Sequence, residues 1–574
     1  MYFQFKITNS YTEMNFLKTT SILFAAFLIT ACAAQKTLNE YPYGHLYKDL
    51  PFEMPKIKAP VFPDNEVNLA DMGGVPDGIT LNTEAFEKAM QALADKGGGK
   101  LIVPKGVWFT GPIVFRSNIN LHLEKGALIL FSPDFDLYPI VETVFEGLDT
   151  RRCQSPISGR NLENIAITGC GSIDGSGDAW RPLKKEKVTE KMWKQKVASG
   201  GVLRKNNYWF PSEGSLKGFE ISDMNVPRKD MSEAEWQEIR DFLRPVMISF
   251  IECKNVLLQG VLFENSPAWN IHPLMCENVI VDGIYVKNPS YSQNGDGIDL
   301  ESCVNSIIVN STFDVGDDAI CIKSGKDEDG RRRARPTVNL IVDNCKVFHG
   351  HGGFIVGSEM SGGVKNIKVS NCQFLGTDVG LRFKSTRGRG GVVENIYISD
   401  IYMFNIVTES FLFDLYYGGK SASESLADGD VTPVEEVLPP VDETTPVFRN
   451  IFVENIVSRN ARRALLFNGL PEMNIENIRL KNAFITSQIG AELSESKNIV
   501  FENVTIIPEK GAAFKLNNVK NFKAEKLYFD ENKSQKAIWI EGKKTKNIRL
   551  PEFEDGVVDV AKEVEKAEIK DYKF

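Results

Sequence analysis

The chain has 574 residues, of which 42% are hydrophobic and 25% charged, the balance of a folded protein rather than a disordered one. Its formal charge of −9 and pI near 5.5 argue against nucleic acid as a partner, because binding a phosphate backbone requires a basic face. No Pro/Gly/Ser-rich linker divides the chain into separate globules, so its length points to one elongated unit carrying insertions, and its 46 Gly and 26 Pro to many turns.

In chain order, the first element is an apolar run, Ser21 to Ala31, preceded by Lys18 and too short to span a bilayer as a mature helix. It reads as a signal peptide over 1–32, and Met14, just before Lys18, offers a second start. Ile29-Thr30-Ala31-Cys32 resembles a bacterial lipoprotein cleavage box with Cys32 acylated, while Ala31-Cys32-Ala33 also fits ordinary signal peptidase. The expected location is outside the cytoplasm: periplasm or outer membrane with a lipid anchor on Cys32, or secretion. Export permits disulfides, but no CxxC pair and no zinc-ligand spacing is present. An N-terminal extension is expected over 33–65.

The one clear helix runs from Thr83 to Asp95, where Phe86, Met90, Leu93 and Ala94 share a face and Gly97-Gly98-Gly99 stop it. From 66 to 550 a short unit recurs: an Asn, a β-branched stretch, then Asn, Asp or Gly, as in Asn255-Val-Leu-Leu-Gln-Gly and Asn366-Ile-Lys-Val-Ser-Asn. Further copies start at Asn278, Asn305, Asn339, Asn395, Asn450, Asn477, Asn498, Asn521 and Asn547, roughly 21 to 34 residues apart except for one gap. Strands this short cannot bury their apolar side chains alone, so neighbouring coils must stack into an all-β solenoid, with the helix capping its first coil. Cys253, Cys276 and Cys303 each stand two residues before an anchor Asn, which reads as a column of buried small hydrophobes rather than ligands. Two stretches break the repeat, a charged and partly helical one at about 181–243 and an acidic, Gly/Ser/Pro-rich one at about 418–446; both read as surface loops that wall a groove, with disordered decoration as the other reading. Residues 551–574 read as a tail.

Four polar clusters occur at coil spacing: Asn294-Gly295-Asp296, Gly316-Asp317-Asp318, Gly350-His351-Gly352 and Arg382-Phe383-Lys384. Asp296 and Asp317 lie one coil apart, so stacking puts them on adjacent rungs, about 5 Å apart along the stack, and three carboxylates share a patch. Asp317 and Asp318 cannot both face outward on a regular strand, and a bend at Gly316 is expected. Crowded carboxylates repel, so at least one should keep its proton to higher pH, as a general acid requires. Arg382 and Lys384 face the same way two residues apart, and Lys323, Lys326, Arg331, Arg332, Arg333, Arg335, Arg387 and Arg389 suggest a basic groove in an acidic protein; a solvated loop is the other reading of Arg331 to Arg335. His272 either lines the groove or is structural, and His349, His122 and His45 are expected to be structural.

These clusters resemble the polygalacturonase family, family 28 of the glycoside hydrolases, whose signatures are Asn-Thr-Asp, Gly-Asp-Asp, Gly-His-Gly and Arg-Ile-Lys. The resemblance extends over about residues 66 to 550, is to bacterial exo-type members, and includes an opening segment from Asp77 to Thr83 similar to the family's N-terminal cap. It implies a single-stranded right-handed parallel β-helix of the pectin-lyase-like kind and an inverting hydrolysis without metal or cofactor. It further implies Asp317 as general acid, Asp296 and Asp318 as activators of water, and His351 as support for the acid. Asn294, Arg382, Lys384 and Tyr417, or less well Tyr416, would bind a galacturonan substrate. Gly295 and Phe383 depart from the signatures but fall between the charged residues. Action on rhamnogalacturonan or a substituted galacturonan, a calcium-dependent lyase, and a non-catalytic glycan-binding solenoid are the competing readings; oligomeric state is not legible.

Overall fold

The computed structural model describes residues 41–223, 225–418, 438–530, 537–554 and 556–572. The segment read as a signal peptide, its Cys32 and most of the second insertion, 419–437, lie outside the described residues. The described residues 41–50 belong to a small unit of their own, with a 3-10 turn at Gly44–Tyr47.

From Pro51 onward the chain winds into a right-handed parallel β-helix in which 35 strands among the described residues join one ladder with three walls. The first wall stacks Gly99–Val103, Ile119–Leu123, Glu163–Gly169, Lys254–Gln259, Glu277–Asp282, Val304–Val309, Thr337–Asp343 and Val364–Ser370, and continues to Ile569–Tyr572. The third wall, which carries the site, stacks Ile157–Arg160, Ile248–Ile251, Ile271–Leu274, Ile298–Glu301, Asp318–Lys323, Gly352–Gly357, Leu381–Lys384 and Glu409–Asp414. Alternation sends Ile298, Leu300, Ile320, Ile322, Phe354, Val356, Leu381 and Phe383 into one continuous core and their neighbours outward.

The recurring asparagine has two physical reasons. At each turn into the first wall it takes a left-handed backbone, φ 56° at Asn255, 60° at Asn305 and 62° at Asn339, which Asn tolerates better than other non-glycine residues. Its side chain then joins a ladder: Asn278 donates to Asn255 at 3.0 Å, Asn339 to Asn305 at 3.0 Å and Asn366 to Asn339 at 3.1 Å, onward to Asn547. Cys253, Cys276 and Cys303 are buried beside that turn, and the eight cysteines among the described residues are free thiols.

The helix Thr83–Asp95 buries Ala85, Phe86, Ala89, Met90 and Leu93 over the first strands. Stacking starts at Glu66–Asn68. At the other end it runs past 550, because Val558–Val560 and Ile569–Tyr572 pair with the preceding coil, so the segment read as a tail supplies further strands. The first insertion is folded, with helices Glu190–Ala198, Glu213–Ile221 and Glu233–Glu238 and a three-stranded sheet. An antiparallel hairpin, Ile140–Phe145 with Leu148–Cys153, has no counterpart in the sequence reading.

Candidate active site

The predicted residues gather where the second wall turns into the third. Ile298 pairs with Ile320 and Asp318 with Gly352, so Asp318 is in register with Asp296, and the Gly297 N–H donates to the Asp318 carbonyl at 2.9 Å. Asp317 sits one residue earlier, at the expected bend, and lies under His351, whose backbone N–H donates to the Asp317 carbonyl at 2.9 Å. The partner that Asp296 meets in the ladder is thus Asp318 rather than Asp317. Gly316 serves the bend by allowing close approach rather than by a left-handed backbone: a Cβ there would lie 2.3 Å from Ser292 Oγ.

Asp318 is the best-held carboxylate. Lys384 Nζ donates to its Oδ2 at 2.6 Å and Arg382 Nη1 stands 3.6 Å from Oδ1. Burial alone would raise its pKa, but the charges of Lys384, Arg382 and Lys323 outweigh that and hold the carboxyl well below the usual range. Asp296, 3% exposed, goes the other way: burial, then the charges of Asp299 and Asp317, push its carboxyl well up against the pull of Lys323. Of the three clustered carboxylates, Asp296, the member sealed from solvent, is thus the one pushed toward its neutral form. Asp317 is partly open and pairs with His351 Nδ1 at 2.9 Å; that bond raises the imidazole pKa despite its burial.

Arg382 also donates to the His351 carbonyl at 3.4 Å. Tyr417 spreads its ring 5.0 Å from Lys384 Nζ and 5.8 Å from the Arg382 guanidinium, whereas Tyr416 lies under Arg387, so Tyr417 is the tyrosine at the site. Asn294, in a left-handed turn with φ 53°, has its Oδ1 taken by Arg244 at 2.8 Å.

Asp299, Glu301, Glu359 and Asp378 are charged residues at the site that the sequence reading missed, and they gather in part around Lys323, which it had placed in the basic groove. Lys323 is buried over the Trp269 ring at 4.5 Å, bonds Glu359 at 2.9 Å and pairs with Asp299 at 3.4 Å, the latter an ion pair rather than a hydrogen bond. Asp378 stands 3.8 Å from His351 Nε2. Asp299 and Glu301 alternate with Ile298 and Leu300, a polar pattern on a strand that could have flagged them. His272 is fully buried against Glu301 at 2.9 Å and is structural. His349 pairs with Asp314, and His122 with Thr168.

The basic groove is narrower than the sequence suggested. Arg331 to Arg333 lie on a short helix, Asp327–Arg333, and act as staples: Arg332 to Asp149 and Asp329, Arg333 to Glu301 and Asp149. Arg387 pairs with Glu472, and Arg389 with Asp327. Those guanidiniums are spent on ion pairs elsewhere, and the cations beside the carboxylates are Arg382, Lys384 and Lys323. Donor atoms of Asp317, Asp318 and His351 lie within 4.8 Å of one another, a spacing a cation could bridge, but Lys384 and Arg382 already supply positive charge there.

The profile of glycosyl hydrolases family 28 matches residues 232–435, which hold all four clusters. A solved structure, the hyperthermoactive exopolygalacturonase from Thermotoga maritima, is 33% identical, aligns with 78% of this chain and 93% of its own, and superposes with a TM-score of 0.64. The chain belongs to glycosyl hydrolase family 28. Its relatives include an exo-poly-alpha-D-galacturonosidase of Dickeya chrysanthemi, 26% identical over 79% of this chain and 73% of that protein. A family 28 exopolygalacturonase of Yersinia enterocolitica shares the fold, with 22% identity, a TM-score of 0.63 and coverage of 81% of this chain and 79% of its own. Arg382, Lys384, Asp317, Asp318 and His351 all lie inside the family 28 segment, as does the helix Asp327–Arg333 that carries the staples.

Proposed function

We propose that the protein hydrolyses α-1,4-galacturonosyl bonds of polygalacturonate, and that it acts from a chain end. The observation that carries the reading is Asp318, kept ionised by Lys384 and Arg382 beside the Asp317–His351 pair and the buried Asp296. An inverting glycosidase needs one carboxyl to protonate the leaving oxygen and a carboxylate to activate water. In this proposal Asp317 gives the proton, oriented by His351. Asp318 takes a proton from water, and Asp296, stacked on it, helps to hold that water. Arg382, Lys384, Tyr417 and Asn294 bind substrate, and a uronate suits the two cations because its carboxylate matches guanidinium and ammonium donors.

Chain-end action is supported by the hairpin. Phe145 packs on Trp269, Val246 and Ala268, and the tip is pinned where Lys326 N donates to the Gly147 carbonyl at 3.1 Å. Gly147 is required there, since a Cβ would meet Lys326 N at 2.6 Å. The pinned tip stands across the third wall beside Lys323, and the relatives from Thermotoga maritima and Dickeya chrysanthemi carry exo-acting names.

The test is product analysis over time on defined oligogalacturonates. Monomer alone from the outset supports the reading, mixed oligomers from the outset reject chain-end action, and unchanged activity in both Asp317→Asn and Asp318→Asn rejects the site. Export with a lipid on Cys32 is proposed from the sequence; labelled palmitate should enter the wild type and not Cys32→Ser.

A further inference from the structure

Two arginines lie buried side by side between the hairpin and the catalytic coil, and among the described residues neither is paired with a carboxylate. Arg152, on the hairpin, is 2% exposed, and Arg244, where the large insertion rejoins the solenoid, is 3% exposed. Arg152 donates twice to the Arg244 carbonyl, at 2.9 and 2.7 Å, and once to the Asn225 carbonyl at 3.0 Å, with its guanidinium 4.0 Å over the Phe145 ring. Arg244 donates to the carbonyls of Pro267 at 3.0 Å and Gln293 at 2.8 Å and to Asn294 Oδ1 at 2.8 Å, two residues before Asp296.

Every one of these acceptors is a neutral oxygen. Neutral acceptors satisfy the N–H groups but leave two positive charges uncancelled, and burying charge without a counter-charge is costly. The acid nearest in the chain of contacts is Glu146 at the hairpin tip, bound by Asn225 at 2.7 Å. Burial, with the charge of Glu359 added, pushes that carboxyl toward its neutral form, so it cancels little. On the far side of the carboxylates, Arg382 and Lys384 are turned to Asp318. The hairpin side of the site thus holds positive charge that the protein itself does not neutralise, next to Asn294 and within electrostatic reach of Asp296.

We propose that the Arg152–Arg244 pair is the counter-charge for the carboxylate of the sugar bound on the closed, hairpin side of Asp296, and so makes the enzyme selective for a uronate at that chain end. The pair acts through its field and through Asn294, which Arg244 holds. The proposal rests on the function proposed above and adds a residue-level basis for which terminal sugar is accepted.

The experiment compares trigalacturonate with two isomers in which one terminal carboxylate, at either end, is reduced to a neutral hydroxymethyl group. The wild type should cleave the unmodified trimer with kcat/KM about tenfold above one of the two isomers, the size of one charge-assisted contact. In Arg152→Gln and Arg244→Gln that preference should fall toward unity through KM, and Arg244→Lys, which keeps the charge, should retain it. Equal wild-type rates on all three trimers overturn the proposal while leaving galacturonan hydrolysis standing, and this arm decides even where a variant fails to fold. A loss in Arg244→Gln that is the same for all three trimers, with unfolding temperature unchanged, also overturns it and leaves Arg244 as a positioning residue for Asn294. Failure of the wild type to cleave any trimer overturns the functional reading and this proposal together.

Discussion

Lys384 Nζ sits 2.6 Å from Asp318 Oδ2, and both side chains are almost wholly buried. A pair this enclosed does more than hold the strand Leu381–Lys384 to its neighbour. It fixes the ionisation state of a carboxylate that burial would otherwise protonate.

The acid limb of the pH–rate profile should report that pair. Asp318 is held below the ordinary carboxylate value of about 3.9, so the stability it contributes is present above that pH and is lost as the pH falls through the depressed value. In Lys384→Met the Asp318 pKa should rise and carry the acid limb of kcat/KM to higher pH. An acid limb that stays in place in Lys384→Met would assign it to another group.

Asp318→Asn and Asp317→Asn should each lower kcat by roughly 10²- to 10⁴-fold, the range for loss of a general acid or base. Steady-state kinetics on polygalacturonate measure this, with circular dichroism to show that the fold persists.

The His351 imidazole should titrate above about 6.5, because its hydrogen bond to Asp317 outweighs the effect of burial. The stability from this pairing is present below about pH 6.5 and is lost as the pH rises through the raised value. Proton NMR of the His351 ring should show the higher pKa in the wild type and a lower one in Asp317→Asn; identical titration curves would show that the bond does not govern the ring.

Lys323→Met should be among the most destabilising substitutions in the protein. It would leave Asp299 and Glu359 buried without their shared cation, at a cost of about 3–5 kcal/mol. Denaturant unfolding of Lys323→Met against the double variant Lys323→Met/Glu359→Gln checks this, since removing the stranded charge should recover part of the loss.

Asn339→Ala should cost about 1–3 kcal/mol, because it breaks ladder bonds on both sides and strands the amide partners of Asn305 and Asn366. Asn339→Gly should be milder, as it relieves the left-handed backbone at φ 62° but restores neither bond. Equal losses in the two variants would mean that the ladder alone sets the cost.

Much of the architecture was legible because it is local and repeated. The anchor asparagines, the cysteine column and the cap helix each follow from a short-range rule of conformation or periodicity, applied coil after coil. The four clusters were legible for the same reason: equal spacing in a solenoid becomes adjacency. The burial of Asp299, Glu301 and Glu359 was not, because it is set where distant segments pack together, as where Asp149 of the hairpin Ile140–Cys153 meets Asp329 and Arg332 about 180 positions away.

The sequence by itself determined that the chain coils, which residues line up along the coils, and that carboxylates meet cations on one flank. Those properties depend on side-chain alternation and repeat length. Only the tertiary structure decided which carboxylate is pushed toward its neutral form, which arginines are spent as staples and which remain uncancelled, and where the hairpin closes over the wall. Charge state and access depend on burial and on the distances to every neighbouring charge, and those are set when distant segments pack together.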